Sequence, residues 1–342
     1  EQYNYLSVYL ELSNTLAIPD DDNYYSGSNA EFDDALIADP QSTEWTQHWM
    51  SFDAANTELR YGRQFVEFDS GRFIGGDEVR QQRSTFSGVT LQNESLNLLK
   101  VRFGRLNRFE SSLGDDVSGG DKSIDARYFN LEYRGIIHSL LSIYAYDLDG
   151  DGLDGSATRS AWGSQTQGLR FAGHIKNEPA FEYGLEYAVQ RDAGQNPINY
   201  SATYFLVEAG ATYSGVRLFV GQEVLGADGQ GFFVTPLASL TSFQGWSDQF
   251  ANGGLGNIAG GVVDTYYSLG FVLSADFRLI ATLHDFESDD DAQGLGALGE
   301  EWNVEALYQW DNYGVSFRYA DYQRENFGID TRKAWLSLTA SF

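Results

Sequence analysis

Phe181-Glu-Tyr-Gly-Leu-Glu-Tyr-Ala-Val-Gln190 decides how this chain is read. Phe181, Tyr183, Leu185, Tyr187 and Val189 alternate with Glu182, Gly184, Glu186, Ala188 and Gln190, so an extended strand here carries one apolar and one wet face. The same period returns in Val216, Leu218 and Val220 against Arg217, Gly221 and Glu223, and in Phe277, Leu279, Ala281 and Leu283 against Arg278, Thr282 and His284. It returns again in Trp302, Val304, Ala306, Tyr308 and Trp310 against Asn303, Glu305 and Gln309.

Carried along the chain, the pattern predicts about 16 strands. They fall near residues 3–13, 43–53, 56–63, 84–92, 95–105, 125–135, 138–147, 165–175, 179–190, 201–213, 215–225, 264–273, 275–286, 302–311, 313–322 and 332–342. Long connections (14–42, 64–83, 106–124, 148–164, 191–200, 226–263, 287–301, 323–331) alternate with very short ones such as Asp53–Asn56, Gly135–Ile137, Ser214–Gly215 and Asp311–Asn312. A soluble sandwich has no reason to segregate loop length in this way. A transmembrane antiparallel β-barrel does, with long loops outside and tight turns on the periplasmic side, and an even strand count is expected to close the sheet without an edge. The expectation is an all-β chain with residues 1–342 forming one barrel domain, both termini periplasmic, in the outer membrane of a Gram-negative bacterium.

Composition agrees. The 342 residues include 37 Gly, 7 Trp, 21 Tyr and 23 Phe but 5 Pro, 1 Met and no Cys, a balance suited to many strands joined by turns. No run of about 18 apolar residues exists, which excludes a helical span, whereas a barrel strand needs only about 10 alternating residues. The chain starts at Glu1 without a signal peptide and reads as a mature or truncated product. A net charge of −27 argues against nucleic acid as partner. No Lys or Arg precedes Arg60, while Asp20, Asp21, Asp22, Glu31, Asp33, Asp34 and Asp39 crowd one interval that reads as a solvated loop.

Aromatics near strand ends (Tyr3, Tyr5, Trp45, Trp49, Tyr187, Tyr266, Tyr267, Trp302, Trp310, Tyr319 and Trp335) are expected in two interfacial girdles, with ordinary sheet packing as the plainer alternative. Phe342 closes the set Ala334, Leu336, Leu338, Ala340 and resembles the terminal aromatic by which outer-membrane proteins are recognised for insertion.

The wet face of the strands is the lumen of a barrel. It carries Arg60, Arg102, Arg134, Arg170, Arg217, Arg278 and Arg318 together with Glu58, Glu132, Glu182, Glu186, Glu208, Glu223 and Glu305. Opposed rows of both signs would order water and favour polar solutes, or would simply pair across strands. A second basic stretch, Arg60, Arg63, Gln64, Arg72, Arg80 and Arg83, leaves two readings: folded inward, it builds an anion-attracting constriction from planar guanidinium forks; projected outward, it is a charged surface loop. Inward folding is preferred.

Asp147, Asp149 and Asp151 with Gly152 have the spacing that opens a calcium loop, but Thr158 stands where a bidentate Glu is needed. That leaves a loose surface Ca2+ site beside the simpler reading of a solvated acidic loop, and no other cofactor. His48, His138, His174 and His284 show no metal spacing, and no Ser or acid stands beside them in a catalytic motif, so an enzyme is not expected.

Several stretches resemble the alginate-export family of outer-membrane porins. They are Ala38-Asp-Pro-Gln-Ser-Thr-Glu44, Leu59-Arg-Tyr-Gly-Arg-Gln64, Gly71-Arg-Phe-Ile-Gly75 with Arg80-Gln81 and Thr85-Phe86, Glu223-Val-Leu-Gly226, Thr235-Pro-Leu-Ala-Ser-Leu240, Phe243-Gln-Gly-Trp-Ser-Asp248 and His284-Asp-Phe286. The resemblance implies a monomeric barrel of about 16 to 18 strands, with a further pair of strands usual ahead of the point where this chain starts. It carries over Arg60, Arg63, Gln64, Arg72 and Arg80 as pore-lining groups. The abundance of lumenal Glu departs from an arginine-rich polyanion conduit and places the chain nearer the general porin-like members. The expected function is passive passage of small hydrophilic, anionic solutes included, with outer-membrane lipid and lipopolysaccharide as surroundings. The rivals are export of an anionic polysaccharide such as alginate, and a plugged barrel acting as a surface adhesin.

Overall fold

The computed structural model describes residues 5–16, 24–31, 33–76, 80–115, 117, 120–150, 161–291 and 294–341. Sixteen strands form one sheet in which each pairs antiparallel with the next. They are β1 (Tyr5–Thr15), β2 (Ser42–Ala54), β3 (Thr57–Gln64), β4 (Thr85–Asn93), β5 (Leu99–Glu110), β6 (Asp121–Tyr133), β7 (Ser139–Asp149) and β8 (Ser164–Ile175). Then come β9 (Ala180–Asp192), β10 (Ser201–Tyr213), β11 (Val216–Leu225), β12 (Val262–Val272), β13 (Phe277–Glu287), β14 (Ala297–Trp310), β15 (Tyr313–Arg324) and β16 (Thr331–Ala340).

Every expected strand is present. The largest differences are extensions at the long-loop end, where β5 runs on to Glu110, β6 begins at Asp121 and β14 at Ala297; at the short-turn end β5 begins only at Leu99, four residues later than expected. Bulges explain the extensions, since register shifts between Leu106 and Arg108 and between Phe286 and Glu287 break the period-two pattern just where these strands continue. At the other end the turns are tight. Ala55 and Asn56 both have positive φ (50° and 56°), as do Ser214 and Gly215 (50° and 80°), the conformation that two-residue hairpin turns require.

The two faces are inverted relative to a water-soluble sheet. On β9 to β11 the outward residues Leu185, Tyr187, Phe205, Leu218 and Val220 are exposed, while Glu186, Gln190 and Glu223 on the inner face are buried. Exposed apolar side chains in register around the wall, with ionised groups inside, form the lipid-facing band of an outer-membrane barrel.

Two expectations need correction. Among the described residues no ladder joins β1 to β16, so these sixteen strands do not by themselves close the sheet; an even count permits closure, but pairing of the edges is what achieves it. Nor are all the aromatics in girdles. Trp45, Tyr187, Tyr267, Trp302, Trp310 and Tyr319 fall on the outward face, but Tyr5, Trp49, Tyr266 and Trp335 fall on the inner one by register. Trp49 stacks on Tyr9 at 5.2 Å with the Arg60 guanidinium 4.0 Å over its ring, and Tyr266 donates to Glu208 at 3.0 Å. Tyr3 and Phe342 lie outside the described residues.

Candidate functional site: the loop constriction in the lumen

Two long loops turn inward instead of outward. The first, described over residues 65–76 and 80–84, leaves β3 just after Gly62, whose φ of +130° and whose absent Cβ, which would lie 2.3 Å from the His48 carbonyl oxygen, let the strand bend. At its tip the Asp69 carboxylate accepts from Asn130 Nδ2 on β6 at 3.0 Å and from Ser142 on β7. Phe73 packs into a ring cluster with Tyr144, Tyr146, Tyr204 and Phe233. Apolar loop residues thus find a core inside the upper barrel.

Arg72 fixes that loop. Its Nε donates to Glu223 Oε1 at 2.6 Å, Nη2 to Oε2 at 3.1 Å and Nη1 to Thr235 Oγ1 at 3.2 Å, with the plane 4.7 Å over the Phe243 ring. Tyr204 completes the carboxylate's shell at 2.9 Å. Burial works against the Arg72 charge, but the Glu223 carboxylate and the Tyr204 hydroxyl outweigh it and hold the guanidinium above its ordinary range.

The second loop, 226–261, crosses from the other side. Val234 exchanges two bonds with the Gln190 amide on β9 (2.6 and 2.8 Å). Glu301 on β14 accepts from the Trp246 N–H at 2.5 Å, from the Ser247 N–H at 3.0 Å and from the Ser247 hydroxyl. Asp248 meets Lys333 of β16 at 2.5 Å and Arg80 of the first loop at 3.1 Å. The loops also hold one another, with Gly75 N–H donating to the Leu237 carbonyl at 3.0 Å and Ser239 N–H to the Gly71 carbonyl at 3.1 Å. A continuous bridge therefore runs from β6 and β7 across the lumen to β14 and β16.

Beside this bridge a cavity of about 330 Å3 remains against β8 and β10 to β14, bounded by Arg170, Glu208, Arg217, Trp246, Tyr266, His284 and Glu305. Its two arginines are paired, and so is Arg318, which adjoins the lining Glu305. Arg170 meets Glu186 at 2.9 Å and Glu208 at 3.4 Å, Arg217 meets Glu182 at 2.5 Å, and Arg318 meets Glu305 at 2.5 Å. His284 Nδ1 lies 3.0 Å from both oxygens of Asp264.

Elsewhere on the inner face Arg60 pairs with Glu58 at 2.6 Å, Arg102 pairs with Glu132, and Arg134, just past the end of β6, also reaches Glu132 at 2.8 Å. Arg278 is exposed near the short-turn end with no ion pair among the described residues. Three residues of the basic stretch do not face open water. Arg63 is enclosed by Thr85, Glu44 and Asp115, Arg72 by Glu223, and Arg80 by Asp248. Gln64 is likewise buried, accepting from Thr90 at 2.9 Å. Their charge or polarity holds loops to the wall, a role that sequence cannot separate from lining the water path.

The acidic run divides. Asp147 stands on the outer face of β7, Asp149 ends that strand, and Asp151 lies outside the described residues. Among the described residues no three acidic or histidine side chains gather as a metal site would need. Sequence reading missed Glu301, Asp248, Lys333 and Trp246, whose importance comes from partners more than 50 residues away.

A family model for alginate export matches residues 17–219. No curated protein matches. Among solved structures, Pseudomonas aeruginosa OpdK with vanillate is 14% identical with a TM-score of 0.66, covering 86% of this chain and 77% of that one. A BenF-like porin from Pseudomonas fluorescens Pf-5 is 12% identical with a TM-score of 0.66, covering 86% and 75%. Pseudomonas aeruginosa OccD3 (OpdP) is 11% identical with a TM-score of 0.65, covering 88% and 79%.

Proposed function

The chain belongs to the alginate export family and is an outer-membrane channel; we propose that it passes small hydrophilic solutes passively beside its two inward loops. The observation that carries this reading is the bridge formed by loops 65–84 and 226–261. It leaves a cavity of about 330 Å3 lined by charged, hydroxyl, aromatic and aliphatic groups, room for a solute of sugar size. Paired rows of Arg and Glu offer donors and acceptors of both signs, so a solute can exchange water for wall contacts at several depths without being trapped.

The pairing also sets the selectivity. Arg170, Arg217 and Arg318 each have a carboxylate partner, so the passage favours compact polar solutes, neutral sugars and small organic acids alike, and discriminates weakly by charge. Vanillate, present in the OpdK structure, is an acid of the size this cavity would take. Liposome swelling tests the reading: monosaccharides should enter faster than trisaccharides, and exclusion of every sugar would favour the second reading, a barrel plugged by the same loops that serves as a surface protein. High-affinity block by alginate oligomers would instead support the export reading.

A further inference from the structure

The outer wall carries a feature that solute passage does not use. Arg105 on β5 and Arg127 on β6 are direct cross-strand partners, both on the outward face, the only two cations so opposed among the described residues. Like charges directly opposite destabilise a sheet unless an anion sits between them. Asp125 supplies one, accepting from Arg105 Nε at 2.7 Å and Nη2 at 3.0 Å and from Arg127 Nη2 at 3.0 Å. The remaining donors, Arg105 Nη1 and Arg127 Nε and Nη1, have no partner among the described residues, and the two side chains are 64% and 60% exposed. Arg108 stands one step further toward the long-loop end, beside Asp121 at 3.1 Å. Asp147 faces Arg127 from β7.

Position tells what these donors meet. One step below them on the same face, Phe103 and Phe129 are opposed and exposed, followed by Leu131 and Ile143. The arginines therefore stand where the apolar band ends on the side of the long loops, at the headgroup level of the outer leaflet. A ligand that matches both parts has acyl chains for the Phe103–Phe129 surface and a phosphate for the forks. Guanidinium suits phosphate because its planar donors bind two oxygens at once, whereas the nearby acids leave no net positive field to hold a free ion.

We propose that Arg105 and Arg127 form a binding site for the phosphate of an outer-leaflet phosphorylated glycolipid. The experiment uses the whole chain folded in detergent and native mass spectrometry with bisphosphorylated lipid A. Wild type is expected to retain it about tenfold more strongly than an Arg105→Gln/Arg127→Gln variant, while Arg332→Gln, an outward arginine elsewhere on the wall, changes nothing. Equal retention by wild type and the double variant would overturn the proposal. Should the double variant fail to fold, lipid selectivity of the wild type decides: preference for bisphosphorylated over dephosphorylated lipid A supports the site, and equal binding of the two overturns it. Displacement by an equal concentration of inorganic pyrophosphate would also overturn it, since a free anion would then suffice.

Discussion

Arg72 and Glu223 are 151 residues apart in sequence and meet as a bidentate pair inside the barrel, with Arg72 only 1% exposed. This pair joins the inward loop 65–84 to β11, and the constriction depends on it. Removing one partner leaves the other charged and buried, so Arg72→Ala and Glu223→Gln should each destabilise the folded chain by about 3–5 kcal/mol. The double replacement Arg72→Met/Glu223→Met should cost less than either alone. Urea unfolding in lipid vesicles measures all three; additive costs would contradict a pair acting as one unit.

Charge selectivity should respond at the lumenal arginines that border water. Arg217→Ala and Arg318→Ala leave Glu182 and Glu305 without their cations. Reversal potentials in a salt gradient should shift toward cations by a few millivolts each, with Arg318→Ala also loosening Trp246, over which its guanidinium lies at 5.2 Å. An unchanged reversal potential in both variants would mean that ions do not pass these residues.

The bridge should limit conductance. Glu301 holds loop 226–261 through three bonds from Trp246 and Ser247, so Glu301→Ala should free that segment and raise single-channel conductance or its fluctuation without unfolding the wall. Conductance identical to wild type would show that the loop stays in place without this anchor.

A pH effect is expected at the base of the same loop. Burial pushes the Asp228 carboxyl up, but the backbone N–H groups of Gly231, Ser201 and Gln230, donating at 2.8, 2.8 and 3.0 Å, outweigh it and hold the group below its ordinary 3.8. A depressed carboxylate contributes stability that is present above its ordinary value and lost as pH falls through its folded one. Amide exchange at Gly231, corrected for intrinsic rate, should be slow above about pH 5 and accelerate only below the ordinary carboxylate range. Asp228→Asn should show no such transition.

The wall was legible because period two over ten residues, as in Phe181 to Gln190, admits one reading, and because short turns leave few registers. Side-chain parity also placed Arg60, Arg102, Arg170, Arg217, Arg278 and Arg318 on the inner face. Parity was the better guide for aromatics too: Trp335 alternates with Ala334 and Leu336 and so points inward, yet being aromatic near a strand end suggested a girdle. The constriction was half legible. Clustered arginines hinted at inward folding, but nothing local to Arg72 names Glu223, and nothing local to Trp246 names Glu301; those contacts arise only when the sheet curls and brings distant strands to one lumen. Closure lay beyond counting, since it depends on how the edges of β1 and β16 pair.

The central claim, a water-filled path beside the inward loops, is tested most directly by single-channel recording of the purified, folded chain in a planar bilayer. Discrete conductance steps that shrink when a sugar of cavity size is added to the bath are the predicted result. A bilayer that contains the folded chain, verified by its heat-modifiable mobility, and shows no steps at any voltage would contradict the account.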